Sequence, residues 1–390
     1  MARWDFERYI DELSSCLASF NGEGCSELLG SVPKVPFVRD VYERTYRECS
    51  NRGIPTPFDE IIAFRVEAAC YEDKSENDRA LEFYCNSLNC LVSAFSEMPD
   101  ENWPLPIMYK LCLATRLAAR RINSSKAFER AAEAIMACFR VCTSDTRSSP
   151  ATSKKWGMLY LVNQLFKVYF AISALHLCKP LIRAIENLRD VKEEQFPLAQ
   201  RVTYRYFVGR KAMFDSELRN ADSNLSFAFE RCLKSSIKNK RKILIYLVPV
   251  RMLLGRLPQH RLLKKYNLAE FDDVARAVSA GNLLQLDNAL SKHEHFFIQC
   301  GVYLLLEKLR PMVYRTLFKR VQRIMNTYQI PIGALTTALM AMNVEDVDDD
   351  ETSCILANLI HDGKVKGYLS YSHQKLVISK QNAFPPFASS

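Results

Sequence analysis

The feature that most limits the folds open to this chain is a hydrophobic period of three to four residues, which runs from Asp59 almost to the carboxyl end with only short breaks. Apolar side chains at that spacing share one face of an α-helix, and successive helices must bury those faces against one another. In the first 150 residues the spacing predicts helices over Phe6 to Ala18, Glu60 to Glu72, Asp78 to Phe95, Pro106 to Ile122 and Ala127 to Cys142. Ser31 to Pro57, with four prolines, reads as a looser connector. A polar break at Thr143 to Ser153 precedes Trp156 to Phe170, which is apolar nearly all round and is therefore expected to be buried. Only 12 of 390 residues are glycine, well under the usual share of about 7%, which disfavours glycine-rich phosphate loops and folds built on many tight turns.

The segment Tyr204 to Phe229 carries a helical-hairpin pattern. With Gly209 as the small residue at a helix crossing, Ala221, Leu225 and Ala228 fall at the packing positions of a tetratricopeptide-like repeat, although Arg205 stands where an aromatic belongs. Gly281, followed by Leu286, Ala289 and Leu290, is a weaker echo. A true repeat and any pair of packed antiparallel helices read alike here.

Beyond residue 305 three helices are expected: Tyr314 to Tyr328 with Leu317, Val321 and Ile324 inward, Pro331 to Met342, and Val347 to His361. The period then drops to two. Val365 to Ser370 and Lys375 to Lys380 are strand-like runs joined by the polar Tyr371 to Gln374, a hairpin signal. Three helices followed by a hairpin form a winged helix. The fold class is thus all-α with a small β-hairpin, a stacked tetratricopeptide-like helical array ending in a winged helix. Its expected divisions are an amino-terminal segment with connector (1–58), a helical array (59–203), a helical-repeat part (204–304), the winged helix (305–381) and a frayed tail (382–390).

The 13 cysteines include no C-x-x-C pair and read as reduced, mostly buried thiols. Acidic residues interrupt the amino-terminal stretch where a secretory signal needs an apolar core, and the longest apolar run is Ile243 to Val250, so no membrane insertion is expected. A net charge of +9 permits attraction to nucleic acid or to an acidic protein without selecting either.

The plan matches the PCI domain, the scaffold module of subunits of the proteasome lid, the signalosome and translation initiation factor three. More specifically, Cys138-Phe-Arg-Val-Cys-Thr-Ser-Asp-Thr-Arg147, Lys154-Lys-Trp-Gly-Met158, Leu175-His-Leu-Cys-Lys-Pro-Leu-Ile-Arg-Ala-Ile185, Gln200-Arg-Val-Thr-Tyr204, Val208-Gly-Arg-Lys-Ala-Met-Phe-Asp215 and Cys354-Ile-Leu-Ala-Asn-Leu-Ile360 closely resemble the PCI subunit of transcription-export complex 2 (TREX-2). The likeness runs from about Asp59 to Pro386 and matches the first fifty residues poorly. It implies a non-catalytic role in nuclear messenger-RNA export at the pore. The implied partners are a large scaffold subunit similar to the germinal-centre-associated nuclear protein and a small acidic subunit shared with the proteasome lid, and the basic surface adds RNA or DNA, bound nonspecifically, as a further expected partner. A PCI subunit of a proteasome-lid or signalosome-like assembly is the alternative.

Two basic groups are candidate nucleic-acid contacts. Between Arg231 and Lys265 stand eleven cations and no acidic residue, with Lys238, Lys240, Arg241 and Lys242 the tightest cluster. The wing carries Lys364, Lys366, Lys375 and Lys380, which serve either a phosphate backbone or protection of a strand edge. The acidic run Glu345 to Glu351 opens the third helix of the winged unit, where it suits the helix dipole and repels phosphates, so sequence-specific major-groove reading is disfavoured. Catalysis has no constellation to support it. His293 and His295, two residues apart on a helix, project to different sides and begin no ligand set, and Cys138 and Cys142 at i, i+4 read as core. No metal and no cofactor is expected.

Overall fold

The computed structural model describes residues 2–36, 39–98, 102–146, 151–188, 191–344 and 347–385. The chain divides into two compact units, Met1–Phe207 and Val208–Ser390, with the division inside one helix. The first unit holds α1 (Ala2–Ala18), α2 (Gly22–Gly30), α3 (Val41–Asn51), α4 (Phe58–Asp73), α5 (Asn77–Glu97), α6 (Leu105–Ile122), α7 (Ser125–Thr143), α8 (Met158–Ala171), α9 (Cys178–Glu186) and the first part of α10 (Leu198–Phe214). The stretch expected to be a loose connector contains α3, whose buried stripe is Val41, Thr45 and Cys49. Two of those three residues are small or polar, which is why the apolar period is silent there. The helix is nevertheless seated, because Tyr42 lies 4.7 Å from the Phe64 ring on α4.

Helix α8 behaves as its all-round apolar sequence predicts. Leu159, Leu161, Val162, Leu165, Phe166 and Val168 are essentially inaccessible to solvent, and α7, α6 and α9 pack around it. Its buried Asn163 donates to the carbonyl and the side-chain Oε1 of Gln200, both at 2.9 Å, which answers the need of a buried amide for partners. Cys112 and Cys138 bring their Sγ atoms to 3.9 Å inside this core, and Cys142 is buried on the same helix face. All thirteen cysteines are free thiols.

In the second unit the end of α10 meets α11 (Leu218–Arg231) at Gly209. A Cβ there would stand 2.7 Å from Leu225 Cγ and 3.1 Å from its backbone nitrogen, and Ala221, Leu225 and Ala228 are fully buried. The hairpin crossing is therefore where the sequence puts it. Next come α12 (Ile237–Leu253), α13 (His260–Lys265), α14 (Glu270–Ala280), α15 (Leu283–Lys292), α16 (Glu294–Cys300) and α17 (Tyr303–Glu307). Gly281 is not a second crossing. It caps α14 with φ +63°, its N–H bonding the Val278 carbonyl, and it packs against the backbone of the following long helix.

The winged unit consists of α18 (Arg310–Met325), β1 (Gln329–Pro331), α19 (Ile332–Met340), α20 (Asp349–His361), β2 (Gly367–Ser370) and β3 (Lys375–Ile378). The hairpin is part of a three-stranded antiparallel sheet in the order β1-β3-β2. Strand β1 carries no sequence signal because it is three residues long and ends in proline, which an edge strand tolerates. Leu376 and Ile378 point into the core with Ile330, Leu335, Leu339, Leu356, Leu359 and Val365, whereas Lys375 and Val377 occupy the other face. Ile360 is only half-buried. The expected inward stripe of α18 holds for Leu317 but fails further along. Val321 is half-buried and Ile324 is 83% exposed, because the helix continues past the core that its Met312, Val313, Leu317 and Phe318 face fills.

The expected frayed tail is anchored through residue 385. Arg315 donates to the carbonyls of Phe384 (2.8 Å) and Pro385, Phe384 is buried, and the Lys366 N–H reaches the Ala383 carbonyl at 2.8 Å. Residues 386–390 of that segment lie outside the described residues, as do Glu345 and Asp346 of the acidic run. Among the described residues no helix is long and apolar enough to cross a membrane.

Candidate nucleic-acid interface

The sheet register decides which wing residues share a surface. Lys375 pairs with Ser370 on β2 and Pro331 on β1, and Val377 pairs with Tyr368 and Gln329. Directly opposed residues of an antiparallel sheet point the same way. Lys375 and Val377 therefore share the outer face with Tyr368, which is 62% exposed. Lys366 lies two residues before Tyr368 and joins that face, its carbonyl accepting from the Ser379 N–H at 2.8 Å. Lys380 is exposed just past β3. Lys364 stands apart, because its ammonium is paired with Asp362 at 2.8 Å, and the Lys364 hydrogen bond helps hold that carboxyl below its ordinary range. The wing charge offered to a ligand is thus that of Lys366, Lys375 and Lys380. Tyr368 and the 73% exposed Tyr371 on the wing turn do not stand out in the sequence, since single aromatics in a strand pattern look like core.

The helical cluster is dispersed by the fold. Lys238 and Lys242 are exposed, but Lys240 is buried, with its ammonium 4.5 Å from the centre of the Phe229 ring and donating to the Phe229 carbonyl at 2.5 Å. It belongs to the packing of α11 against α12 and not to a phosphate surface. Its position is legible in the sequence, because Ile243, Leu244 and Leu247 follow at three, four and seven residues and place Lys240 on the apolar stripe of α12. Arg241 is half-buried and donates to the Asn267 carbonyl at 3.2 Å. The acid-free character of residues 231–265 also ends in three dimensions. Asp222, on α11, accepts from Arg251 at 3.0 Å and Arg256 at 2.6 Å. Burial raises the Asp222 pKa, but the two arginines outweigh it and hold the carboxyl below its ordinary value.

Helix α20 carries no lysine or arginine. Its N-cap Asp348 accepts from the Glu351 N–H at 2.7 Å, and Asp349, Asp350 and Glu351 complete an acidic first turn. Asp349 and Thr352 are both tied to Thr336 of α19, so part of this acidic end is structural. His293 bonds Asp273 at 3.0 Å while His295 turns to Gln299, and among the described residues no cluster of three metal-ligating side chains exists.

A helical array closed by a winged helix is the PCI arrangement, and the family model for the PCI domain matches residues 290–380. The full length is matched by "PCI domain-containing protein 2" of Danio rerio, 47% identical over 404 residues and covering 100% of both chains. The chain belongs to the PCI domain-containing protein 2 family. A Xenopus laevis member is 47% identical over 401 residues, covering 100% of this chain and 99% of its own. The Drosophila melanogaster homologue is 46% identical over 345 residues, 86% of this chain and 87% of its own. The alignments to the two vertebrate members span the whole chain, the first fifty residues included. As a member of this family the chain is a PCI scaffold subunit, and none of these relatives carries an enzyme name.

Proposed function

We propose that the chain is the non-catalytic PCI adaptor of a TREX-2 messenger-RNA export complex, working in the nucleus at the pore. In this reading its winged helix packs beside that of a large scaffold subunit similar to the germinal-centre-associated nuclear protein. A small acidic subunit shared with the proteasome lid lies along the helical array, and the exposed cations contribute to a nonspecific RNA or DNA platform. The observation that carries the reading is the end-to-end likeness to PCI domain-containing protein 2, the protein whose resemblance implies this complex. The wing supports the nucleic-acid part, because Lys366, Lys375 and Lys380 accompany exposed Tyr368 and Tyr371, the pairing of cation and aromatic that holds single strands without sequence preference.

Reversing Lys366, Lys375 and Lys380 to Glu in the reconstituted complex should weaken RNA binding. It should also flatten the slope of log affinity against log salt by roughly 0.7 for each phosphate no longer neutralised. The acidic subunit should stay attached, since an ordered peptide keeps apolar anchors that salt does not screen. Binding and slope both unchanged would reduce these lysines to guards of a strand edge.

A further inference from the structure

Helix α18 holds cations that neither basic group of the sequence includes. Arg315, Lys319 and Arg323 follow one another at i, i+4 and i+8, with Arg320 beside them, and all four line a cleft of about 250 Å3. The rest of the lining includes the apolar Met252, Leu257 and Val278 together with Gly255 and Ser279. Among the described residues no carboxylate lines this cleft. Among the described residues, Lys319, Arg320 and Arg323 have no acidic group within ion-pair distance, whereas Arg251, Arg256, Arg276 and Arg310 of the same unit each have one.

Like charges at i, i+4 on one helix face repel and destabilise the helix, and with Arg315 buried and Lys319 half-buried the repulsion between those two is less screened than that of the exposed Arg323. Lys319 feels this directly. Burial, then Arg315 and Arg323, hold its ammonium below the ordinary lysine range. Among the described residues no carboxylate answers Lys319, Arg320 or Arg323, and an anionic ligand would relieve the repulsion.

The same helix says what kind of anion fits. Ile324 is one turn beyond Arg320 and 83% exposed, followed by Met325 at 40% and Tyr328 at 47% just past the helix end. Cations that lead into exposed apolar and aromatic side chains suit a ligand with regularly spaced phosphates and flat bases. An acidic peptide with apolar anchors is the competing occupant, and it has no need of a flat aromatic surface such as Tyr328.

We propose that the α18 cleft binds the phosphate backbone of a single-stranded nucleic acid, with Lys319, Arg320 and Arg323 as phosphate contacts and Ile324 and Tyr328 as the surface on which bases lie. This deepens the nucleic-acid part of the proposed function and rests on it. The site uses other cations than the wing lysines, although the Tyr328 carbonyl accepts from the Ile378 N–H of β3 at 2.9 Å, so the two sets of variants are measured separately.

The test uses the full chain and a short labelled oligouridylate across a salt series. Replacing Lys319, Arg320 and Arg323 by Gln should flatten the salt slope by about 2, at roughly 0.7 per phosphate. The unfolding midpoint should stay the same or rise, because repulsion is relieved. Tyr328→Ala should weaken binding roughly fivefold or more with the slope intact, the mark of a missing stacking surface. If the unmodified chain binds and the triple variant binds equally well, the phosphates lie elsewhere and the inference falls while the nucleic-acid reading stands. Displacement of the oligouridylate by a lower concentration of a glutamate-rich peptide would assign the cleft to an acidic protein and overturn it. No binding by the unmodified chain would remove both.

Discussion

Ile378→Asp is expected to unfold the winged unit and with it to abolish capture of the scaffold subunit. Ile378 is 4% exposed and points from β3 into a core shared with Leu376, Leu359 and Ile330. Losing its methyl and methylene groups costs roughly 2–5 kcal/mol, and an unpaired buried carboxylate adds several kcal/mol more. Together these approach the whole stability of about 5–15 kcal/mol that a domain of this kind possesses. Val377→Asp supplies the control, because Val377 lies on the outer face, where a substitution costs about 1 kcal/mol or less. Thermal unfolding and amide exchange of β1 to β3 read both variants. Equal effects, or a larger one at Val377, would mean that the register is displaced by one residue, which turns every side chain to the other face.

The second large effect is expected at the joint between the helical repeats and the winged unit. Gly281→Ala meets two penalties. Its φ of +63° is a left-handed conformation that costs an L-residue about 1–2 kcal/mol. Its new Cβ would stand 2.7 Å from the Leu317 nitrogen and 2.9 Å from the Thr316 carbonyl carbon, backbone atoms of α18 that have no rotamer to yield. Overpacking of this kind costs about 1–3 kcal/mol, so the unfolding midpoint should drop by roughly 5–15 °C. Gly363→Ala separates the two effects. Gly363 has φ +67° and nothing within 4 Å of the added carbon, so only the conformational penalty remains. A Gly281→Ala variant no less stable than Gly363→Ala would remove the close approach of α14 to α18 from the account.

How much is legible in the sequence follows from which physical signals are local. The three-to-four period marks a helix with a large apolar stripe wherever it occurs, so α4 to α8 and the α10–α11 hairpin emerge from sequence, and the period of two places Ile378 inward and Lys375 outward. Helix α3 does not emerge, because a stripe of Val41, Thr45 and Cys49 carries little hydrophobic contrast. The outer turns of α18 mislead in the opposite way. Val321 and Ile324 continue the period after the core they would pack on has ended. Phe384 is hidden among prolines, although one buried aromatic and the Arg315 hydrogen bonds suffice to hold the segment down.

Charge is the least local property. The segment Arg231 to Lys265 contains no acid of its own, yet Asp222 reaches in to pair with Arg251 and Arg256, and the Phe229 carbonyl takes Lys240. The cations of α18 are the converse case. They form no run in the sequence, and although the predicted helix already puts Arg315, Lys319 and Arg323 on one face, only the fold sets that face along a cleft. Counting charges along a sequence therefore overstates one basic surface and misses another.

The central claim is that this PCI scaffold subunit serves the export complex, and affinity capture of the full-length chain from nuclear extract tests it most directly. The account predicts recovery of a scaffold subunit similar to the germinal-centre-associated nuclear protein, together with the small acidic subunit, in comparable amounts. Recovery of proteasome-lid or signalosome subunits without that scaffold would contradict it.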